Sequence, residues 1–518
     1  MKKISDILIP ALAVSVLSGC GMLAVGPDFR SPEVTVDDSA LKAPGAGWPM
    51  TTNLTETGEF KPASESKDPR TELKAEEIRT WWRQFNDELL SSLVENAVSN
   101  NRTFLMAQQR LEQARWRYAG SWSDILPHIT GIGSHSRAHA SENGSAGANA
   151  YTRRDTFRTG FDATWEIDIF GGVRRGVEQA DALMSKAHCD LADAWVTLSS
   201  EIGSRYVALR TVQERLKVAR ANLVLQTETY DILKSRMQSG IGDELAVNQA
   251  KYNVEQTRAT IPDLLSTEES HMNALAVLAG TMPGALHSRL QTPIDRDWLV
   301  EPKRLSGIPL NVMRTRPDVR AAEFALAAQV AHVGVAKSFL FPKFYLNGSL
   351  GMESIKMSKF LDRDSIYGSL GPSISWPIFQ GGNIYANMKA EEAAMDEAAL
   401  NYELTIQTAF SEVRSAYSAY TQEYHRYESL KGAVKAAKDA EAISQDLYKN
   451  GLSDFNNVLD AQRSLLALEE ALTISRGQIT QDLISLYKAL GGGISICGCG
   501  QGAWRRKECP VCRTDRVP

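Results

Sequence analysis

Asp460 and Arg463 stand three positions apart in the stretch Gly451-Leu-Ser-Asp-Phe-Asn-Asn-Val-Leu-Asp-Ala-Gln-Arg463. A carboxylate and a guanidinium at that spacing share one helix face. Alone they form a surface pair worth a few tenths of a kcal/mol, roughly. Brought near copies of themselves, the carboxylates repel one another and attract cations, and the guanidinium can bond to neighbouring acceptors. Other reactive groups are sparse. Cys497-Gly-Cys499 and Cys509-Pro-Val-Cys512 flank a nine-residue spacer, shorter than the common zinc-ribbon spacing. A metal knuckle and local disulfides stay open there, and a tail without function is the default expectation. His135 and His139 are the nearest histidine pair and read as solvated. The chain carries no Walker loop, His-Glu-x-x-His or Gly-x-Ser-x-Gly, so neither catalysis nor a cofactor is expected.

The elements around Asp460 are long. Gly451 ends a helical pattern that begins after Gly381-Gly382, and Ser453 and Asp454 are natural caps for a return helix to Leu490. The stretch is therefore the tip of a helical hairpin. On the return helix Val458, Ala461, Leu465, Leu468, Leu472, Ile479 and Leu486 form a coiled-coil seam that Ser475 and Asp482 interrupt. An earlier hairpin runs from Val173 to about Gln238, roughly 100 Å at 1.5 Å per residue. It turns at Gly240-Ile-Gly-Asp243 and returns to about Leu278, with a kink expected at Pro262. The two hairpins are copies. Trp165 and Trp376, Tyr206 and Tyr417, Gly240 and Gly451, Asp243 and Asp454, and Val247 and Val458 each differ by 211, while Pro127 and Pro342 differ by 215. The chain is a tandem duplication.

Each copy also carries strands. Phe157 to Ile169 alternates Phe157, Thr159, Phe161, Ala163, Trp165, Ile167 and Ile169 with Arg158, Gly160, Asp162, Thr164, Glu166 and Asp168, one apolar and one wet face. Its partner is His128 to His139, with an exposed loop, 140–154, between them. The second copy has Lys343 to Gly351 and Ser365 to Phe379, the latter with Ile366, Leu370, Ile374, Trp376 and Ile378 on one face. A helix from near Glu76 holds Trp81, Trp82 and Phe85. Others run from Thr103 to Ile125 and from Arg316 to Phe341.

No segment after the N-terminus offers 18 consecutive apolar residues, so a membrane crossing would need a closed β-barrel. Four strands are too few to enclose a lumen and leave edges unpaired, which forces closure with other copies. Lys2, Lys3 and the apolar run Ile7 to Leu17 form a secretory signal. The run ends in Leu17-Ser-Gly-Cys20, which resembles a bacterial lipobox, with Cys20 the lipidated first residue. Gly21 in place of Asp implies release to the outer membrane. With 57 Lys+Arg against 62 Asp+Glu, no nucleic-acid partner is indicated. A structural or adhesive coiled-coil lipoprotein without a pore would explain the helices and the anchor. It would not explain four amphipathic strands placed by duplication.

The motifs Val25-Gly-Pro-Asp-Phe29, Arg316-Pro-Asp-Val-Arg-Ala-Ala-Glu323, Ser375-Trp-Pro-Ile-Phe-Gln-Gly-Gly382, Val458-Leu-Asp-Ala-Gln-Arg-Ser-Leu465 and Leu486-Tyr-Lys-Ala-Leu-Gly-Gly-Gly493 carry a family resemblance over about residues 17–493. The chain resembles the outer membrane factors of tripartite efflux systems, the TolC-like channels, in their lipoprotein (OprM/NodT-like) branch. The resemblance implies a mostly α fold with a membrane β-barrel. Three copies would build a twelve-stranded β-barrel and a periplasmic α-barrel of twelve helices. It implies a signal peptide at 1–19 and an extended lipid-anchored segment at 20–75, bearing palmitate. The first repeat would be 76–280, an equatorial linker 281–309, the second repeat 310–493, and a Cys-containing tail 494–518. It further implies passive export of small toxic compounds, driven by an inner-membrane pump of RND type through a periplasmic adaptor docked on the tips. Asp460 and Arg463 fall at the periplasmic gate. Asn456 stands where related channels often carry an apolar residue, a departure from a hydrophobic plug. Gln249 matches Asp460 in the first repeat, so one hairpin of the two supplies the charge.

Overall fold

The computed structural model describes residues 24–32, 78, 80–139, 154–240, 242–292, 316–450 and 452–492. Cys20 with its signal segment, 33–77, the loop at 140–153, the linker from 293 to 315, Gly451, and the tail from Gly493 onward lie outside the described residues. A 3-10 turn, Trp81–Phe85, leads to α1 (Glu88–Asn100) and α2 (Arg102–Ser123). Then come β1 (His128–Ala138), β2 (Arg154–Ile167), α3 (Gly172–Gln238), α4 (Glu244–Leu278) and the single turn α5 (His287–Leu290). The second half gives α6 (Pro317–Ser338), β3 (Lys343–Ser354), β4 (Ile366–Ser375), α7 (Asn383–Lys449) and α8 (Phe455–Ala489).

The duplication is visible in the helix bounds. α2 and α6 are 22 residues each and begin 215 positions apart (102 and 317). α3 and α7 are 67 residues each, and α4 and α8 are 35 each, all offset by 211 (172 and 383, 244 and 455). α4 passes through Pro262 unbroken. The helix expected from Glu76 is instead divided. Asn86 sits at φ 51°, which ends the 3-10 turn, and Asp87 opens α1 by accepting from Leu89 N–H and Leu90 N–H. A left-handed residue followed by an N-cap cannot lie inside one helix.

The chain forms two compact units. One draws on residues 1–33, 110–188 and 321–404. Its centre is a four-stranded antiparallel sheet in the order β1-β2-β3-β4, in which the β2–β3 pair joins the two repeats with Phe161 opposite Leu350. β1 and β4 are the edges. One face carries exposed Ile129, Phe161, Leu350, Ile366, Leu370 and Ile374, with Phe161 64% and Leu370 77% accessible. The other carries Arg158, Asp162, Glu166, Asn347, Ser349, Tyr367, Ser369 and Ser373 by alternation. Pro372 lies in β4, an edge strand, where its missing donor is tolerated.

The strand ends differ from expectation. β2 stops at Ile167 because Ile169 N–H turns back onto Ile167 O, and the Asp168 carboxylate accepts from Arg174 N–H at the start of α3. β4 stops at Ser375, ahead of Pro377. Trp165 donates its indole N–H to Ile125 O, and Trp376 to Leu340 O. These are the same bond in both repeats, since 125 and 340 differ by 215. Each duplicated tryptophan thus ties a strand end to the end of the helix before it, with its ring on the apolar face. The run Val25-Gly-Pro-Asp packs in this unit too. Val25 N–H donates to Phe170 O, and buried Arg175 donates to Val25 O and to Asp28 Oδ1 at 2.7 Å. Gly26 is required twice over. It holds φ 105°, and a Cβ there would meet Gly334 Cα at 2.5 Å.

The other unit draws on 34–109, 189–320 and 405–518. Trp81 stacks on Tyr487 and meets Trp82 and Phe85 edge-on, while Trp195 meets Trp82 and Phe104. Tyr206 donates to the capping Asp87 at 2.5 Å, and Arg210 donates to Tyr206 Oη and Leu290 O. Burial pushes the Tyr206 phenol well above its ordinary value. Arg316 donates to Ala489 O, capping α8, and pairs with Asp318 and Glu412. Pro317 then opens α6 at a position where its lack of N–H costs nothing.

The α8 seam is buried or half-buried at every expected position, and the interruptions are buried with it. Ser475 donates to Glu423, and Gln478 donates to Asp482. In the first repeat the positions of Glu423 and Ser475 are held by Val212 and Leu264, which belong to an apolar cluster with Leu216 and Ala219. The second hairpin has exchanged apolar for polar packing at that level.

Two predictions follow from packing. Gly203→Ala would drive a methyl into the Trp81 ring and should cost about 1–3 kcal/mol, read as a lower melting temperature. Burial pushes the Asp482 carboxyl above its ordinary value, Gln478 pulls it back, and Glu423 adds repulsion. A carboxyl raised in the fold contributes stability when protonated, and loses it as pH rises through the folded value. Asp482→Asn should therefore raise the melting temperature at pH 7.5, with the gain shrinking toward pH 4.

Candidate functional site at the helical tips

Both hairpin turns are built from the same local chemistry. Gly240 takes φ 75° after α3, and Asp243 caps α4 by accepting from Leu245 N–H at 3.0 Å. In the second repeat Asp454 caps α8 by accepting from Asn456 N–H at 3.2 Å. One apolar cluster ties the tips together. Leu233, Val247 and Ala250 come from the first hairpin, Phe455, Val458 and Leu459 from the second, and Tyr230, Met237, Ala246 and Tyr448 flank them. The four helix ends at the tips are therefore packed as one group.

Asp460 sits at the surface with its side chain 76% exposed. Arg463 lies beside it, but the closest approach is 3.9 Å, a loose pair. Arg463 is held elsewhere. Its Nε donates to Asn253 Oδ1 at 2.9 Å, and its guanidinium lies 5.6 Å from the Tyr252 ring centroid. Both residues are on α4. Asn253 is 5% exposed, so the bond is anchored in the first hairpin. Asp460 is thus left with an exposed carboxylate while its cation bridges the two repeats.

Asn456 is exposed and engaged in the cap, with its amide 3.4 Å from Asp454 Oδ2. Gln249 is half-buried, and its Oε1 is buried with no hydrogen-bond partner among the described residues. The structure brings Asp460 and Arg463 together. It gives Gln249 a less exposed setting than its counterpart.

Sequence reasoning missed Tyr252 and Asn253. It also missed Arg236, which donates to Tyr448 Oη at 2.9 Å and covers that ring, so the outgoing helices are linked as the return helices are. A signal was present. Tyr252 and Arg463 differ by 211, so they are repeat equivalents. Two equivalent positions meet where the return helices pack together, as Val247 and Val458 also do in the tip cluster. Asn253→Ala should cost about 1 kcal/mol in thermal unfolding. In an Arg463→Ala background the same change should cost little, because the two residues share one bond.

The matches to known proteins agree with this architecture. The family model described as outer membrane efflux protein matches residues 93–281 and 311–492. A probable efflux pump outer membrane protein of Pseudomonas putida, TtgC, is 28% identical over 93% of this chain and 94% of its own. Outer membrane protein OprJ of Pseudomonas aeruginosa is 30% identical over 80% of this chain and 86% of its own. The solved outer-membrane channel OprN superposes with a TM-score of 0.79 at 32% identity, covering 91% of this chain and 99% of that one. The family is one of channel proteins rather than enzymes, and the chain belongs to it: it is an outer membrane efflux protein.

Proposed function

We propose that three copies of this chain close their sheets into one twelve-stranded outer-membrane barrel, and that the helical tips form its periplasmic gate. The observation that carries the reading is the sheet. Among the described residues it has two unpaired edge strands and an exposed apolar face, and a lipid bilayer accepts such a sheet only as part of a closed barrel. The protein is then the passive exit duct of a tripartite efflux system. An inner-membrane pump, of RND type by resemblance, supplies the energy. A periplasmic adaptor docks on the tips and dilates them. Cys20 carries the lipid that anchors the protein in the outer membrane. The cargo is a small molecule whose identity the pump selects.

At the gate, Asp460 of each copy faces the axis with Arg463 bonded back to Asn253 and lying over the Tyr252 ring. Arg463, 3.9 Å from its own Asp460, offsets the repulsion among the three carboxylates and ties them to the first hairpin, so that removing Asp460 loosens the closed tips. Asn456 adds polar rather than apolar closure, and Gln249 takes the matched position on the alternate hairpins.

The test is planar-bilayer conductance of the purified protein. The wild type should insert and conduct little at rest. Asp460→Ala should raise resting conductance several-fold and sensitise cells to large antibiotics. A protein that stays monomeric and passes no ions would overturn the channel reading. An unchanged leak in Asp460→Ala would remove Asp460 from the gate.

A further inference from the structure

The polar face of the sheet carries a cation in a made-to-measure seat. Across the strands Ser134, Arg158 and Glu353 form one row. Two residues along β2, Ile132, Gly160, Gly351 and Tyr367 form the next on that face, and Thr130, Asp162, Ser349 and Ser369 the one after. The middle row has two adjacent glycines and therefore a trough. A Cβ on Gly160 would meet Gly351 Cα at 2.7 Å, and one on Gly351 would meet Tyr367 Cε1 at 3.0 Å. Arg158 reaches into this trough from one side. Its Nε donates to Tyr367 Oη at 2.8 Å, its Cζ lies 4.9 Å from the Tyr367 ring centroid, and its Nη2 approaches Asp162 Oδ1 at 3.4 Å. A side chain at Gly351 would press on the Tyr367 ring, and one at Gly160 would meet the β3 backbone.

Six charged residues share this face. Arg154, the first residue of β2, lies beyond the Glu353 row. Arg158 stands beside Glu353 and reaches Asp162. Further along, Lys343 pairs with Glu166 at 3.1 Å. Arg158 is thus the cation between two of the three carboxylates, and the trough holds it flat to the wall instead of letting it project.

We propose that Arg158 sets the charge selectivity of the barrel, the glycine trough and Tyr367 being its positioning elements. This rests on the polar face lining the pore. With Arg158 seated, the wall is nearly balanced and admits anionic, zwitterionic and cationic small molecules alike. Without it, Asp162 and Glu353 lose their shared cation and the wall favours cations.

The experiment is the reversal potential of single channels in planar bilayers under a KCl gradient. An Asp460→Ala background, shared by every variant, takes the Asp460 carboxylate out of the comparison. Arg158→Gln should raise the potassium-to-chloride permeability ratio at least twofold, and Arg158→Lys should stay near the parent. Tyr367→Phe should lower single-channel conductance as the guanidinium leaves the wall, with a smaller change in selectivity than Arg158→Gln. If Arg158→Gln does not assemble, Asp162→Asn should move the ratio toward chloride. An unchanged ratio in a conducting Arg158→Gln or Asp162→Asn channel would overturn the proposal while leaving the pore intact. Absence of conductance in every variant would overturn the pore reading and this proposal with it.

Discussion

Everything in this protein depends on the backbone hydrogen bonds that its sheet leaves unmade. Among the described residues β1 and β4 each present one unpaired edge, and a row of unsatisfied N–H and C=O groups is tolerable in water but not in hydrocarbon. The exposed apolar residues on one face call for hydrocarbon all the same. The two demands are reconciled only when the edges of separate copies meet. Oligomerisation is then a condition of membrane insertion rather than an addition to it. The duplicated tryptophan bonds, Trp165 to Ile125 and Trp376 to Leu340, fix the point at which strand gives way to helix.

Duplication supplies the geometry, and divergence between the copies supplies the chemistry. The helices match to the residue in length and offset. At the tips, however, Asp460 and Arg463 stand where the first repeat has Gln249 and Tyr252. Higher in the second hairpin, Glu423 and Ser475 stand where the first has Val212 and Leu264. Both changes put charged groups in the second copy alone. The first hairpin provides the acceptor and the ring that hold Arg463. A pseudo-symmetric scaffold in this way lets one repeat act as the fixed partner of the other.

Much of this was legible in the sequence, for a physical reason. Long helices with caps at both ends leave a strong periodic signal, and a constant offset between copies is independent of propensity. The bounds at Gln238, Leu278 and Lys449 were accordingly readable. Strand ends were harder. The turn of Ile169 onto Ile167 preserves the alternation of side chains after the ladder has stopped, so the pattern ran on past the strand. The break at Asn86 was hidden inside a helical run of tryptophans. At the site, Asp460 and Arg463 were readable as neighbours, but the bond from Arg463 to Asn253 depends on how two helices are rotated against each other. Arg158 and Tyr367 lie 209 positions apart in the chain, and their meeting depends on the β2–β3–β4 register. No local pattern encodes either.

Closure of the free sheet edges by other copies of the chain is open to a direct test. Cysteine pairs scanned along the two edges, positions 130–136 on β1 against 368–374 on β4, test it directly in outer membranes. Intermolecular disulfides should form at one register, giving a ladder that ends at three chains. Edges that form no intermolecular bond, or a ladder that runs past three, would contradict it.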